Sequence, residues 1–367
     1  MMTGIDREPQ RREQEENPTG GICVSALPNV SILVVNYNGG AHLREFFESA
    51  LSLDYPRERY EIVVVDNGST DGSEDYVEAL AEKHDSPRFR LIKLDRNHGF
   101  AEGSNIGVRH CRAELIAMIN NDTVLEKNWL AELVKAAESR SDAIYGSKML
   151  WYKRRNVVIY GGGVLLSWGL PHHTRMYQAD SSRDESVSEV FYADGCGLLL
   201  SKRLFARLGG FDRTYFNYAE DYELSWKAWL LGYEVYFVPT AKFWHKVSAT
   251  GIELSSFQTY NLWKNHFRNI MKFAEVPTLA YMLPLLLAQC VMYYISLRKP
   301  HALVDLSRAL IYVLTHMNDV KIQRAYYQGS RRVSDGELKQ MGLILPFRTS
   351  LKAVVATLRR RKIARGY

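Results

Sequence analysis

Apolar and polar positions alternate with two periods through the first half of the chain. Val30–Asn36 (VSILVVN) is a short apolar run and predicts a buried strand, whereas residues 42–53 carry Leu43, Phe46, Phe47 and Ala50 at helical spacing. Residues 62–65 predict the next strand. It runs into DNGSTDGS, whose turn and cap residues precede a helix over about 74–83. Residues 91–94 and Leu115–Ile119 continue the strand series, with NHGFAEGSNIG read as the connection between them. Strands alternating with helices predict a parallel, doubly wound α/β sheet. Asn36, Asp66, Asn97 and Asp122 would then meet along its carboxyl edge, where such sheets bind ligands.

The rhythm loosens downstream. Residues 151–188, with three glycines at 161–163 and the pair His172 and His173, predict an irregular insertion or mobile loop. VFYADGCGLLLSKRLFARLGGF returns to strand, turn and short helix. AEDYELSWKAWLLGYEVYFVP reads as an acidic helix start, a helix packing Leu224 and Ala228, and a strand. Helices are expected over 257–273 and near 303–317, and Val276–Leu297 between them carries no charge. That segment is long enough to span a membrane. Pro277 and Pro284 interrupt it and basic residues flank both ends (Arg268 and Lys272, Arg298 and Lys299), which predicts a kinked, re-entrant or interfacial helix pair. Thr278, Gln289 and Ser296 keep a buried core hairpin as the alternative.

A hydrophobic share of 46% and an aromatic share of 12% supply ample core for one large α/β domain, expected over 29–255, followed by a helical region over 256–367. Residues 1–28 are polar, lack the apolar core of a signal peptide, and are expected to be a disordered tail. The net charge of +6 is concentrated at the C-terminus in Arg359, Arg360, Arg361, Lys362 and Arg365, beside Leu351, Val354, Val355 and Leu358. Such a basic amphipathic helix suits an anionic membrane surface. No aromatics interleave the cluster and no nucleic-acid module is present, so a nucleic-acid partner is not expected. Cys23, Cys111, Cys196 and Cys290 lie far apart, which argues against a zinc ribbon and a disulfide framework and favours a reducing, cytosolic face. Neither G-x-G-x-x-G nor G-x-x-x-x-G-K-[ST] occurs, which argues against dinucleotide and P-loop folds.

Two clusters carry chemistry. In LIAMINNDTVL an apolar run ends in Asn120, Asn121 and Asp122, one carboxylate and two amides that suit a metal-bound anion, or that cap a helix resuming by Trp129. Glu220 and Asp221 are paired carboxylates suited to general base work, or to starting a helix favourably against its dipole.

The order and spacing of SILVVNYNGGAHLREFFESA, EIVVVDNGSTDGS, NHGFAEGSNIG, LIAMINNDTVL, GGFDRTYFNYAEDYELSWKAWLLGYEVYFVP and FWHKVSAT resemble glycosyltransferase family 2, and within it the rhamnosyltransferase-like members acting on lipid-linked glycans. The likeness covers about residues 29–249. It implies a GT-A fold, a doubly wound mixed sheet, here with C-terminal membrane-associating helices. It implies an inverting transfer of a sugar from a nucleoside-diphosphate donor, dTDP-rhamnose or a UDP-sugar, to a hydroxyl of a polyprenyl-linked or other glycan in cell-surface polysaccharide synthesis. The donor nucleotide would be held by Asn36, Asp66, Asn97, Gly103, Asn105, Asn120 and Asn121. Asp122 and His245 would bind a divalent metal, Mg²⁺ or Mn²⁺. Asp221 would be the base, with Glu220 orienting the acceptor or tuning its neighbour, and Asp194, Gly195, Trp226 and Trp229 would line the acceptor side. Glu102 departs from the small residue usual at its position, which leaves the donor open. The implied location is the cytoplasmic face of the membrane, peripheral or monotopic. The alternative is a degenerate, non-catalytic membrane-bound scaffold or sugar-nucleotide-binding protein, because two of the three polar residues at the strand end are amides.

Overall fold

The computed structural model describes residues 27–138, 142–181, 186–246, 255–297 and 300–365. The tail over 1–26 with Cys23, residues 247–250 after His245, and Arg298 with Lys299 lie outside them. Strand β1 (Val30–Asn36) leads into helix α1 (Gly40–Ala50), β2 (Tyr60–Asp66), α2 (Ser73–Lys83) and β3 (Arg88–Lys93). Every residue of β2 is buried, as a strand covered on both faces requires. Helix α3 (Gly99–His110) follows, then β4 (Leu115–Ile119), β5 (Thr123–Leu125) and α4 (Trp129–Glu138). NHGFAEGSNIG is thus mostly helix and not a loop. Asn97 starts it by accepting from the Gly99 N–H at 2.8 Å, and Gly107 lets it settle on β1 and β2, because a Cβ there would collide with Leu33 and Val65.

Next come β6 (Ala143–Trp151), β7 (Arg154–Tyr160), β8 (Gly163–Leu165), β9 (Pro171–His173), β10 (Ser188–Glu189) and β11 (Gly197–Ser201). The expectation of an irregular stretch over 151–188 is corrected: β7 pairs with β6, and β8 with β9. Helices α5 (Lys202–Arg207) and α6 (Glu220–Leu230) and the 12-residue β12 (Glu234–His245) complete the sheet region. The sheet runs β10-β12-β6-β11-β4-β1-β2-β3, with β5 against β12 and β7 against β6. β1 to β4 pair in parallel, and β11 enters antiparallel between β4 and β6, which makes the sheet mixed.

Helix α7 (Ser256–Phe273) opens with a capping box, in which Ser255 and Gln258 satisfy each other's backbone N–H groups. Helices α8 (Val276–Leu297), α9 (Pro300–Thr315), α10 (Met317–Gly329), α11 (Asp335–Gln340) and α12 (Phe347–Arg365) follow. The expected helix pair over 276–297 is one helix with Pro284 inside it. Thr278, Met282, Leu286 and Cys290 form its buried stripe, so the charge-free segment has an inner face against α7 and α9 and an outer apolar face. Pro284 lies on the exposed side, away from that stripe.

α7 is bound to the sheet region by charge. Arg268 and Lys272, both fully buried, meet Asp212 at 3.1 and 3.2 Å, and Lys272 also meets Glu223 at 3.0 Å. Lys227 reaches Glu223 at 2.7 Å. Burial alone would raise the Asp212 carboxyl, but Lys272 and Arg268 hold it well below the usual carboxylate range.

Candidate active site

The carboxyl ends of β1, β2 and β4 lie at the point where the strand order reverses, and their terminal polar residues form a string of hydrogen bonds. Asn36 faces Asp66 in register. Its Nδ2 donates to Asp66 Oδ1 at 2.9 Å and to Ser73 Oγ at 2.8 Å, while its Oδ1 accepts from Asn121 Nδ2 at 2.7 Å. Asn36 is fully buried, so it acts through Asp66 and Asn121. Asp66 Oδ2 accepts from the Ser69 N–H at 2.9 Å, an Asx turn within DNGSTDGS. A Cβ on Gly39 would strike the Asn36 and Asn121 side chains, so glycine there keeps the string closed.

Asn120, Asn121 and Asp122 do not cap a helix, because β5 follows them directly. Asp122 Oδ1 instead lies 2.9 Å from His245 Nε2, where β12 and β5 pair. Burial would raise Asp122, yet the hydrogen bond and charge of His245 overcome it and keep the carboxyl below its ordinary value. His245 Nδ1 is buried without a partner. Among the described residues no trio of His, Cys, Asp and Glu is gathered to hold a metal alone. The pair does fit a divalent ion of the kind that takes one carboxylate and completes its shell with substrate phosphates and water, and the imidazole suits Mn²⁺.

Asn120 carries the string across β11, with its Nδ2 3.1 Å from Cys196 Sγ. The Cys196 N–H donates to Asp194 Oδ1 at 2.9 Å, and the Gly195 N–H donates to Asp221 Oδ2 at 3.2 Å. Asp221 and Glu220 are the first residues of α6. They border a cavity of about 400 Å³ together with Asp194, His173, Tyr192 and His266. Burial, then the nearby Asp194 charge, pushes Asp221 up to about 7. Burial, then Asp221, raises Glu220 well above its ordinary value, and its Oε2 has no partner. The two environments therefore favour the neutral form of Glu220 and bring Asp221 near neutrality, a division that suits acid and base roles. Burial also lowers His266 to about 3, so it is a neutral imidazole beside the Tyr222 hydroxyl at 2.7 Å.

Other expected residues lie elsewhere. Gly103 and Asn105 sit within α3. Gly103 packs under Val35 and Asn67, and Asn105 clasps Phe211, accepting from its N–H at 3.0 Å and donating to its carbonyl at 2.9 Å. Asn105 is a strut facing away from the string. Asn97 organises the start of α3, accepting also from Asn67 Nδ2 at 3.1 Å. Trp226 and Trp229 do not line the acceptor side. Trp226 is fully buried against Phe191 and Phe273, and the Trp229 indole donates to the Phe191 carbonyl at 3.0 Å, because helical spacing on α6 points them into the core. The cavity's aromatic and imidazole groups are instead Phe100, His173, Tyr192, Tyr218, Tyr222, His245 and His266. HH in a polar stretch was the one visible signal for His173. Tyr192 and His266 reach the cavity only through the tertiary fold.

Residues 31–202 match the family described as Glycosyl transferase family 2. The probable glycosyltransferase YdaM of Bacillus subtilis (strain 168) is 27% identical over 229 residues, 61% of this chain and 52% of that protein. The poly-beta-1,6-N-acetyl-D-glucosamine synthase of Staphylococcus epidermidis is 24% identical over 227 residues, 61% and 51%. The chain thus spans about half the length of these relatives. Among solved structures, S. aureus TarS 1-349 in complex with UDP-GlcNAc superposes with a TM-score of 0.56 at 17% identity, over 89% of this chain and 92% of that one. The mannosyltransferase PcManGT from Pyrobaculum calidifontis, in complex with GDP-Man and Mn²⁺, gives 0.52 at 19%, over 91% and 88%. Residues 31–202 thus carry a glycosyl transferase family 2 domain, and the fold around them is GT-A.

Proposed function

We propose that the protein is an inverting glycosyltransferase that moves a sugar from a nucleoside diphosphate, dTDP-rhamnose or a UDP-sugar, to a hydroxyl of a polyprenyl-linked or other glycan at the cytoplasmic membrane surface. One observation carries this reading: Asp221 is held at a cavity wall by the Gly195 N–H with its carboxyl raised to about 7. A carboxylate so placed accepts the proton of an acceptor hydroxyl as that oxygen attacks the anomeric carbon from the face opposite the leaving diphosphate. Glu220, kept neutral by burial, adds no second charge beside the base and offers a hydrogen bond to the acceptor. Asp66 suits the base of the nucleotide, and Asn120 and Asn121 its ribose and phosphates. Asp122 and His245 would hold a divalent cation, which takes up charge on the leaving diphosphate. UDP-GlcNAc and GDP-Man are the donors found with the structural neighbours, which supports a nucleotide-sugar donor here.

The membrane part of the reading rests on surface composition. Among the described residues the large exposed apolar side chains before α7 are Leu27, Tyr37 and Val187; α8, α9 and α12 expose Leu287, Val291, Met292, Ile295, Leu303, Ile311, Leu314, Leu351, Val355, Leu358 and Ile363. α8 has a mean hydropathy of 1.5 over Val276–Ile295, with 22% buried. α12 also exposes Arg348, Lys352, Arg359 and Lys362, basic side chains that suit an anionic bilayer surface.

The test is donor binding and hydrolysis across UDP-, dTDP- and GDP-sugars with Mg²⁺, Mn²⁺ or chelator. Metal-dependent binding of one donor, lost in Asp122→Ala, supports the reading and names the sugar. Binding of none favours a non-catalytic scaffold, whereas turnover unchanged by Asp221→Asn overturns the assignment of Asp221 as the base.

A further inference from the structure

The backbone that delivers Glu220 and Asp221 is strained. Phe216 (φ 59°), Tyr218 (φ 72°) and Ala219 (φ 69°) lie at positive φ, a region that residues with a Cβ rarely adopt, and none is glycine. Such a run persists only when its surroundings over-determine it. The surroundings here are two amides of α7. Asn265 Nδ2 donates to the carbonyls of Tyr215, Asn217 and Tyr218 at 3.2, 3.1 and 2.6 Å. Asn269 Nδ2 donates to the Ala219 carbonyl at 3.2 Å, and its Oδ1 accepts from the Tyr215 hydroxyl at 2.6 Å. Both amides are fully buried, and α7 meets the cavity through Leu262 and His266, one on each side of Asn265 in sequence.

We propose that Asn265 and Asn269 are positioning residues of the transfer reaction, which clamp the carbonyls of Tyr215, Asn217, Tyr218 and Ala219 around the positive-φ positions so that α6 starts with the Asp221 carboxylate beneath the Gly195 N–H and facing the cavity. The inference rests on Asp221 being the base. It makes α7, which lies beyond the 31–202 family match, part of the catalytic apparatus. Neither amide touches the substrate. Their effect passes through the carbonyls they hold, and Ala219, whose φ they impose, immediately precedes the pair.

The experiment compares the full-length protein with Asn269→Ala, Tyr215→Phe and the double variant Asn269→Ala/Ala219→Gly, reading kcat, donor Kd and Tm. Asn269→Ala is expected to lower kcat roughly 10- to 100-fold, as a misplaced reacting group does, with donor Kd held within about twofold. Tyr215→Phe, which keeps the ring and removes only the hydroxyl that orients Asn269, should lower kcat in the same direction by a smaller factor. Glycine at 219 adopts positive φ without penalty, so the double variant should regain about threefold or more of the lost kcat. A kcat that tracks Tm alone, or no recovery with Ala219→Gly, overturns the proposal. Should Asn269→Ala not fold, Tyr215→Phe decides: unchanged kcat overturns it. Asp221→Asn separates the two ideas. If Asp221→Asn keeps turnover, the base assignment fails, whereas if it abolishes turnover and Asn269→Ala leaves kcat intact, only the clamp fails.

Discussion

At the scale of single residues, the site is governed by where protons rest. Asp221 titrates at about 7, and only its ionised form can accept a proton, so kcat/KM should rise as pH climbs through about 7 and flatten above it. Stability runs the other way. Burial raises the folded Asp221 above its unfolded value of 3.8, so its contribution to stability is complete below about pH 4 and is lost as pH rises toward 7. Asp221→Asn is therefore expected to abolish turnover, spare donor binding, and raise Tm at pH 8 by roughly 2–4 °C with a smaller effect at pH 5. A differential scan at both pH values checks the sign; a Tm that falls equally at both would show that the carboxylate is structural. Asp122, Glu220 and Asp221 could be singled out in the sequence because each sits in an ordered motif, and the structure places Asp122 against His245 and the other two at one cavity. Trp226 and Trp229 were misread because helical spacing of aromatics says that one face is covered, not by what. Asn261, Asn265 and Asn269 left a signal of another kind: amides four residues apart occupy the buried stripe of α7, where apolar residues belong.

At the scale of elements, close approach and buried charge hold the site in place. Gly107→Ala should cost about 1–3 kcal/mol in a urea titration, because the added methyl lands on Leu33 and Val65 and pushes α3 off β1 and β2. Lys272→Met is expected to cost more, about 3–5 kcal/mol, since it leaves Glu223 and Asp212 with less countercharge in the interior. A cost under about 1 kcal/mol would mean that water reaches the network. Strands β1, β2 and β4 and helices α1, α2, α6 and α7 could be read from period alone, since each is long and strongly patterned. β8, β9 and β10 could not, because strands of two or three residues carry too few positions for an alternation to register, and their pairing is fixed by partners distant in sequence. Helix α3 escaped because glycines at 99, 103 and 107 mimic a loop, although spacing of four puts close packing on one helical face.

At the scale of the whole molecule, α7 packs against α8 and α9 and also holds residues 215–219 before Glu220, so the proposed membrane face and the proposed base would share an element. Leu351, Val355 and Leu358 recur at i, i+4 and i+7 on α12 and are each about half exposed, at 45%, 45% and 52%. Burying such a face in a bilayer is worth about 25 cal/mol per Å² of apolar area. Each exposed basic residue at an anionic surface adds about 1 kcal/mol. The triple variant Leu351→Asp/Val355→Asp/Leu358→Asp should therefore release the protein from phosphatidylglycerol vesicles in flotation, whereas Arg359→Glu/Lys362→Glu should weaken binding most at low salt, where screening is least. Both should leave donor hydrolysis in solution within about twofold, because α12 makes none of the contacts that link Asp66 to Asp221. Turnover of a vesicle-borne acceptor is the discriminating readout. It should fall with vesicle binding if the acceptor is presented from the membrane, and should not change if the glycan acceptor arrives from solution and the apolar face serves another partner.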